Sequence, residues 1–209
     1  MKWINSNICY LGEIHNFNLL QNEFNQLLSI ENIEYKDDQL SLQKAKDWDT
    51  KKFGREEWCS IGKPSNLPDK YKSDEEAFVE TIDILKGSYI EQLMIEYCIF
   101  KTRCAILSPR SCYTWHFDNW PRIHFVVDSN TKCFFLSGDY KKENLEQGKI
   151  YFTDTTDPKG HTAINASWYP RIHIFGNIKS FQGRTWKITE ERKLFNEKEK
   201  AKDMQLLYS

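Results

Sequence analysis

Residues 112–127 read CYTWHFDNWPRIHFVV, and this stretch contains two strand signals separated by a turn signal. Aromatic and β-branched residues are frequent in Cys112–Phe117 and in Arg122–Val127, and both residue classes favour strands. The intervening Asn119-Trp120-Pro121 is typical of a turn, because proline interrupts a strand ladder. We therefore expect two short strands here.

The same pattern of short strand-forming runs separated by turns continues on both sides of this stretch. Five further runs of strand-forming residues are separated by turns rich in Gly, Pro, Asp and Asn, namely Cys104–Leu107, Lys132–Leu136, Lys149–Thr153, His161–Ala166 and Arg171–Phe175. Seven short strands with turns between them are typical of a sandwich or a barrel. The sequence thus predicts a mainly β core.

Hydrophobic spacing predicts helices before this core. Residues 16–30 and residues 89–97 carry apolar side chains at intervals of three and four, as an amphipathic helix does. Residues 73–76 match a capping box and predict a further helix over residues 73–86, ended by a glycine. Residues 39–43 alternate polar and apolar side chains and predict a half-buried strand.

The remaining segments are polar. Residues 44–72 are charged and contain several Gly and Pro residues, so we expect a long loop that is a natural site for substrate recognition. Residues 189–202 are dense in Glu and Lys and predict a solvated helix or a disordered end. The chain length favours one domain, with residues 1–99 as helical and loop support on the substrate side, residues 100–183 as the core, and residues 184–209 as a charged tail.

Composition argues against several classes of protein. Lys+Arg 29 against Asp+Glu 30 gives a formal net charge of −1, which does not favour a nucleic-acid partner. No stretch approaches the roughly 20 apolar residues of a membrane span, and the first residues lack the apolar run of a signal peptide. The six cysteines lack zinc-site spacing, so we expect reduced thiols in a cytoplasmic protein. The sequence carries no signal for the oligomeric state.

Three potential metal ligands occur in the strand-rich region. His116 and Asp118 stand two residues apart, so they are expected on the same face of one strand, and His161 begins a later strand. Two imidazoles and one carboxylate form the ligand set of non-haem iron(II) sites, in which other coordination positions stay open. The sequence therefore predicts such a site at these three residues.

Basic residues accompany this ligand set. Arg171 follows His161 by ten residues and lies on the next predicted strand, where a guanidinium can hold a carboxylate of an anionic co-substrate bidentately. Arg122 and His124 share one face of their strand, so they form either a functional pair near the metal or a buried structural pair.

Other interpretations stay open at this point. His116 lies between two aromatic residues and is also compatible with a hydrogen-bonded histidine of the core. His173 is expected to be structural, as part of an alternating strand. Asp154 and Asp157 precede the distal histidine closely and compete as ligands, although turn chemistry explains both better.

The segment from about residue 104 to residue 176 resembles the aspartyl/asparaginyl β-hydroxylase family, which includes bacterial proline hydroxylases and belongs to the iron(II)/2-oxoglutarate-dependent oxygenases. This segment covers about a third of the chain, and the matching stretches within it are AILSP at 105–109, WHFD at 115–118, RIHF at 122–125, GKIYFTD at 148–154, HTAIN at 161–165 and RIHI at 171–174.

This resemblance implies a double-stranded β-helix (jelly-roll, cupin-like) core with flanking helices. It implies Fe(II) as the metal, with 2-oxoglutarate and O2 as co-substrates. The iron ligands that it implies are His116, Asp118 and His161. It also implies that Arg171 holds one carboxylate of 2-oxoglutarate, with Arg122 and His124 near the other.

The chain departs from the family at two positions. Some members use a serine hydroxyl for the co-substrate where this chain has Ala105, and Ser111 or Tyr113 are possible substitutes. Animal members lack the carboxylate ligand, whereas this chain has Asp118, as in the proline hydroxylase branch; a carboxylate there also disfavours a halogenase. Asn165 stands where the family often has asparagine.

The activity that follows is hydroxylation of an unactivated C–H bond in an amino acid, a peptidyl residue or a small metabolite, coupled to oxidative decarboxylation of 2-oxoglutarate. Two alternatives remain. One is a non-catalytic jelly-roll binding module. The other is a cupin-type metalloenzyme that does not use 2-oxoglutarate, which would usually recruit a third histidine and would leave Arg171 without a role.

Overall fold

The computed structural model describes residues 1–29, 39–45, 75–138 and 140–188. The strands are β1 (Lys2–Trp3), β2 (Ile8–Glu13), β3 (Gln39–Ser41), β4 (Gln43–Ala45), β5 (Phe78–Thr81), β6 (Phe100–Leu107), β7 (Ser111–Cys112), β8 (Arg122–Asp128), β9 (Cys133–Ser137), β10 (Lys141–Glu143), β11 (Lys149–Thr153), β12 (His161–Asn165), β13 (Arg171–Asn177), β14 (Ser180–Phe181) and β15 (Arg184–Thr185). The helices are α1 (Phe17–Ser29) and α2 (Tyr89–Glu96), and 3-10 turns span Glu75–Ala77 and Asp83–Leu85.

Two antiparallel sheets form the core. The larger sheet has the order β1-β2-β11-β8-β13-β6-β3, and the smaller sheet has the order β10-β9-β12-β7. From β6 to β13 the chain passes back and forth between the two sheets, with β6, β8, β11 and β13 in the larger and β7, β9, β10 and β12 in the smaller. This alternation is a double-stranded β-helix, so the jelly-roll fold is confirmed. The larger sheet also recruits β1, β2 and β3 from the first 99 residues.

The outer face of the larger sheet is apolar and packs against the helices. Along β8, Ile123, Phe125 and Val127 all lie in one buried cluster with residues from α1 and α2. Side chains alternate across a strand, so these three positions share one face. Burial of each such side chain contributes about 1.5–3 kcal/mol, which fixes the register of the strand.

One part of the inner face of the larger sheet carries polar side chains, and the candidate site lies there. The same alternation directs Arg122 and His124 of β8 inward, and β13 pairs Phe175 opposite His124 and Asn177 opposite Arg122. The opposing small sheet closes the interior: the ring of Phe135 on β9 contacts His124, with centroids 6.3 Å apart. This part of the interior is therefore lined by charged, imidazole and aromatic side chains, and Phe135 also belongs to an apolar cluster with Val126 and Tyr151.

The helix predicted over residues 73–86 is wrong. The described part of that segment, from Glu75 onward, forms a 3-10 turn, strand β5 and a second 3-10 turn. Strand β5 pairs with β4, with Thr81 opposite Gln43. Phe78 is fully buried there, and its aromatic side chain together with Val79 and Thr81 favours a strand, so tertiary pairing overrides the local capping signal.

The strand predicted over Cys112–Phe117 is shorter than expected. Only Ser111–Cys112 forms a ladder, and the ladder ends before His116. The Trp115 indole N–H donates to the carbonyl of Lys159, 2.9 Å away, and His116 pairs with His161 of β12 through an isolated bridge. His116 and Asp118 consequently do not share the face of a strand, and the expectation that they do is wrong.

The segment predicted as one strand over residues 39–43 is divided between β3 and β4 and is buried on both faces rather than half-buried. Most of the predicted 44–72 loop and the predicted tail element over residues 189–202 lie outside the described residues. Within the described ranges no helix is both long and apolar enough to cross a bilayer. The five cysteines in these ranges are free thiols.

Candidate metal centre

A main-chain bridge brings the two distant histidines together. The amide of His116 donates to the carbonyl of His161 at 3.0 Å, and the amide of His161 donates back at 2.7 Å. The two rings consequently lie with centroids 4.4 Å apart. Gly160 makes room for this approach: at its φ of +78°, an added Cβ would lie 2.4 Å from Nε1 of Trp115 and 3.0 Å from the carbonyl of His116.

The third ligand candidate reaches the histidines from a loop. The amide of Asp118 donates to the carbonyl of Thr155 at 2.8 Å, which fixes the backbone. Its Oδ2 lies 3.3 Å from Nε2 of His161, and its Oδ1 lies 3.9 Å from Nε2 of His116. One ligand atom from each of the three residues lies within 4.8 Å of the others. The convergence therefore arises from the bridge between His116 and His161 and from the loop that carries Asp118, and not from one strand.

Hydrogen bonding and charge set the protonation states of this cluster. Nδ1 of His116 lies 2.7 Å from the carbonyl of Thr114, so Nδ1 carries the proton and Nε2 is left with its lone pair. Burial, which outweighs the attraction of Asp118, lowers the pKa of His116 and keeps the ring neutral. Burial disfavours a charged Asp118, but Arg122 and a hydrogen bond from His161 outweigh it and hold the pKa of this carboxyl well below its usual value.

These residues fit a divalent metal ion. Their ligand atoms lie within 4.8 Å of one another, which is close enough for donors that bind at about 2.0–2.2 Å to share one ion. A neutral imidazole and an ionised carboxylate are the ligating forms of both side chains. Nδ1 of His161 is buried and has no hydrogen-bond partner among the described residues, so its Nε2 is the nitrogen that faces the cluster.

A buried cation lies deeper between the sheets. Arg171 begins β13, is 5% exposed, and pairs with Leu107 at the end of the sheet away from Arg122. Burial lowers the pKa of its guanidinium to about 10, which still leaves it charged at neutral pH. The groups that oppose this shift are Tyr113 and Cys133, and no carboxylate among the described residues forms an ion pair with Arg171. Such a cation favours an anionic ligand.

A chain of contacts connects this arginine to the middle of the larger sheet. Nη2 of Arg171 lies 3.2 Å from Nδ1 of His173, and that nitrogen lies 3.4 Å from Nδ1 of His124. Nε2 of His124 lies 3.1 Å from the hydroxyl of Thr153. Burial, and then the charge of Arg171, hold the pKa of both imidazoles well below the usual value, so both rings are neutral.

The three other residues that the sequence suggested for the site are Ser111, Tyr113 and Asn165, and their contacts differ. Ser111 donates its hydroxyl to the carbonyl of Ser108 at 2.6 Å, which ties it to a turn. Tyr113 has a buried hydroxyl on the side of Arg171. Asn165 holds the β12–β13 connection, because its Nδ2 donates to the carbonyls of Leu107 and Tyr169 at 2.9 and 2.8 Å.

Asp154 and Asp157, the two carboxylates that could compete as metal ligands, instead stabilise turns. Asp154 accepts the amide and the hydroxyl of Thr156 and faces Arg184 with its other oxygen. Asp157 accepts the amide of Lys159 at 2.9 Å and the side-chain amide of Asn7 at 2.9 Å. Among the described residues, neither joins the group of three ligand candidates.

Sequence reasoning did not identify two residues beside the site. Phe135 stacks on the ring of His161, with centroids 5.3 Å apart at 18°. Thr153 binds His124 across the β8–β11 ladder, where Arg122 is its partner in register. Their only sequence signal is the alternation within their own strands, which cannot show what lies on the facing strand.

A family model described as aspartyl/asparaginyl beta-hydroxylase matches residues 14–180, which is most of the chain. The chain belongs to this family. It is therefore a 2-oxoglutarate-dependent hydroxylase. Enzymes of this class in general require Fe(II) and 2-oxoglutarate. Membership favours this activity over the non-catalytic module and over the cupin-type metalloenzyme. A comparison with curated protein sequences finds no significant match.

Solved structures of similar shape are distant in sequence. The viral collagen prolyl hydroxylase of Paramecium Bursaria Chlorella virus-1, in its 2OG complex, has 10% identity and a TM-score of 0.44, covering 82% of this chain and 94% of its own. AviO1 from Streptomyces viridochromogenes Tue57 has 12% identity and a TM-score of 0.42, covering 83% and 90%. A cupin domain from Bordetella pertussis Tohama I has 16% identity and a TM-score of 0.33, covering 38% and 81%.

Proposed function

We propose that His116, Asp118 and His161 hold one Fe(II) ion and that Arg171 binds the distal carboxylate of 2-oxoglutarate. The observation that carries this proposal is the convergence of three ligand atoms within 4.8 Å at one end of an interior that also contains a buried arginine. Two imidazoles and a carboxylate are a ligand set that would hold a ferrous ion, which would supply binding places for an oxoacid and O2.

The interior residues take distinct roles toward the co-substrate. Arg171 supplies a permanent charge in a dry setting, where an ion pair with a carboxylate is stronger than in water. The buried hydroxyl of Tyr113, on the side of Arg171, is a second group for the same carboxylate, and the Ser111 hydroxyl donates to a turn carbonyl. Arg122 and His124 line the interior toward the metal, where the other end of the co-substrate lies.

Bound iron supplies the redox chemistry that activates O2 for attack on a C–H bond. The residues of the chain hold, orient and shield the reactants. Arg122 keeps Asp118 ionised at 2.6 Å, and the Thr114 carbonyl keeps the proton of His116 on Nδ1. Phe135 covers one face of His161 and excludes water from that side.

The substrate of this site is an amino acid, a peptidyl side chain or a small metabolite. Its target carbon must reach the open side of the three-ligand cluster, where His116 is about a third exposed. The net charge of −1 does not favour a nucleic-acid substrate.

A thermal-shift assay tests the co-substrate and metal assignments together. Mn(II) is a redox-silent substitute for Fe(II), and 2-oxoglutarate is added with or without it. We expect stabilisation by 2-oxoglutarate only when Mn(II) is present, because the metal and Arg171 hold its two ends. His161→Ala and Arg171→Ala should abolish this stabilisation, and His15→Ala, at an exposed histidine outside the site, should not.

Indifference of the wild-type protein to both ligands would contradict the proposal and favour a binding module. Stabilisation by Mn(II) with no added effect of 2-oxoglutarate would favour a metalloenzyme without this co-substrate. Mass spectrometry of candidate substrate pools, incubated with Fe(II), 2-oxoglutarate and air, then identifies the substrate by a product one oxygen atom heavier.

A further inference from the structure

His173 has no role in the chemistry described so far, yet it occupies a central position. It lies on β13 two residues after Arg171, on the same inner face, and is 1% exposed. Its Nδ1 lies 3.2 Å from Nη2 of Arg171 and 3.4 Å from Nδ1 of His124. Its partners in register are Ala105 on β6 and Val126 on β8, and the side chain of Ala105 is small beside the imidazole.

The contact with Arg171 fixes where the proton of His173 lies. A guanidinium carries only N–H donors, so Nδ1 of His173 must accept the hydrogen bond with its lone pair. The proton of the neutral ring is then on Nε2, which is buried and has no hydrogen-bond partner among the described residues. The lone pair on Nδ1 also explains the approach of His124, whose Nδ1–H faces it while its Nε2 accepts from Thr153.

A neutral acceptor suits a cation that must bind an anion. A buried guanidinium needs acceptors, because an unsatisfied polar group in a dry interior is costly. A carboxylate partner would satisfy Arg171 but would neutralise it and compete with an incoming carboxylate. The imidazole of His173 instead fixes the orientation of one guanidinium nitrogen and leaves the positive charge uncompensated.

We propose that His173 is a positioning residue for the co-substrate, which acts through Nδ1 to hold the guanidinium of Arg171 in the orientation that receives the distal carboxylate of 2-oxoglutarate. This inference rests on the proposed role of Arg171. Among the described residues, the recorded side-chain contacts of His173 are with Arg171 and His124, and not with His116, Asp118 or His161.

The test compares two substitutions that differ in the acceptor. His173→Leu removes it, whereas His173→Asn places a carbonyl oxygen near the position of Nδ1. With Mn(II) bound and O2 excluded, titration calorimetry should show about tenfold weaker binding of 2-oxoglutarate to His173→Leu, the loss expected for one hydrogen bond to a charged group. His173→Asn should bind it within about threefold of wild type, since the hydrogen bond is restored.

A second ligand separates positioning from a general loss of packing. 2-Oxovalerate keeps the oxoacid end but lacks the distal carboxylate, so its affinity should be the same in wild type and His173→Leu. Ile174→Val, on the neighbouring outward-facing position of β13, is the matched core control and should bind both oxoacids as wild type does.

The outcomes distinguish this inference from the proposed function. Equal 2-oxoglutarate affinity in His173→Leu and wild type would overturn the inference, as would an equal loss for both oxoacids or a failure of His173→Asn to restore binding. Arg171→Leu is measured in parallel. If that variant also binds 2-oxoglutarate normally, the role of Arg171 in the proposed function is wrong; if it alone loses affinity, only the inference about His173 is wrong.

Discussion

Nη2 of Arg122 lies 2.6 Å from Oδ1 of Asp118, and both side chains are largely buried. Oδ2 of the same carboxylate faces Nε2 of His161 at 3.3 Å. The guanidinium therefore holds one oxygen and directs the other toward the candidate metal position. Such support of a ligating carboxylate fixes both its orientation and its charge.

Arg122→Leu should weaken metal binding. Burial raises the pKa of Asp118, and the charge of Arg122 is the largest influence that lowers it. Without the guanidinium the pKa of Asp118 therefore rises, and protons compete with the metal for the carboxylate. We expect Mn(II) affinity to fall about 10- to 100-fold, the range typical for loss of a group that supports a ligand. The loss should be larger at pH 6 than at pH 8. Titration of the metal-free protein with Mn(II) at both pH values measures it.

The matched control is Arg184→Leu, which breaks the ion pair with Asp154 outside the ligand cluster. Its Mn(II) affinity should equal that of the wild type. Equal affinities for wild type and Arg122→Leu at pH 6 would show that Arg122 does not support the ligand.

Gly160→Ala should disrupt the bridge between His116 and His161. Gly160 and Gly183 share a φ of +78°, but an added Cβ at Gly160 meets Trp115 at 2.4 Å, whereas nothing lies within 4 Å at Gly183. Gly183→Ala should cost only the backbone strain, about 1–2 kcal/mol. Gly160→Ala should cost about 1–3 kcal/mol more through steric overlap, and should weaken Mn(II) binding. Urea unfolding and Mn(II) titration of both variants provide the comparison; equal losses of stability would contradict it.

The sequence predicts much of the core because alternation within a strand is a local property. The strands that carry Arg122, His124 and Arg171 were placed correctly to within two residues, and alternation correctly put Arg122 and His124 on one face. The ligand candidates were named from residue chemistry alone, and the structure brings their atoms together.

The features of the fold and of the site that could not be predicted from the sequence depend on contacts between segments that are distant along the chain. The segment from Glu75 to Leu85 carries a helix-starting signal, but pairing with Gln43–Ala45 determines its conformation. The approach of His116 to His161 depends on the absent side chain of Gly160 and on the Trp115 indole. The residues that pair with His173 on the neighbouring strands cannot be predicted from the sequence, because they depend on the strand register.

Stability should fall as the medium becomes acidic below about pH 6.5, the ordinary pKa of histidine. Burial and the charge of Arg171 keep the pKa of His124 and of His173 well below that value in the folded protein. The unfolded chain therefore binds more protons in this range, and stability present at higher pH is lost as pH falls. Each histidine that stays neutral contributes a slope of about 1.4 kcal/mol per pH unit.

Urea unfolding of the metal-free protein between pH 5 and pH 7 measures this slope. The same series on His173→Leu should show a shallower dependence, because one of the two buried imidazoles is gone. An unchanged slope in that variant would mean that His173 is not held neutral by the fold.

His116→Ala should remove metal-dependent turnover and leave the fold intact. The side chain of His116 is 36% exposed and contacts solvent on the open side of the cluster, so its loss creates no buried cavity. We expect a change of at most about 1 kcal/mol in the free energy of unfolding, as for most surface substitutions. Circular dichroism during urea titration tests this, and a collapse of the fold would favour the structural interpretation of this histidine.

We propose that the imidazoles of His116 and His161, which are far apart in the sequence, share one metal ion with the carboxylate of Asp118. Calorimetric titration of the metal-free protein with Mn(II), in the wild type and in His161→Ala, tests it most directly. We expect one ion per chain in the wild type and a loss of measurable binding in the variant, with the fold retained. Equal affinity and stoichiometry in the two proteins would contradict the account.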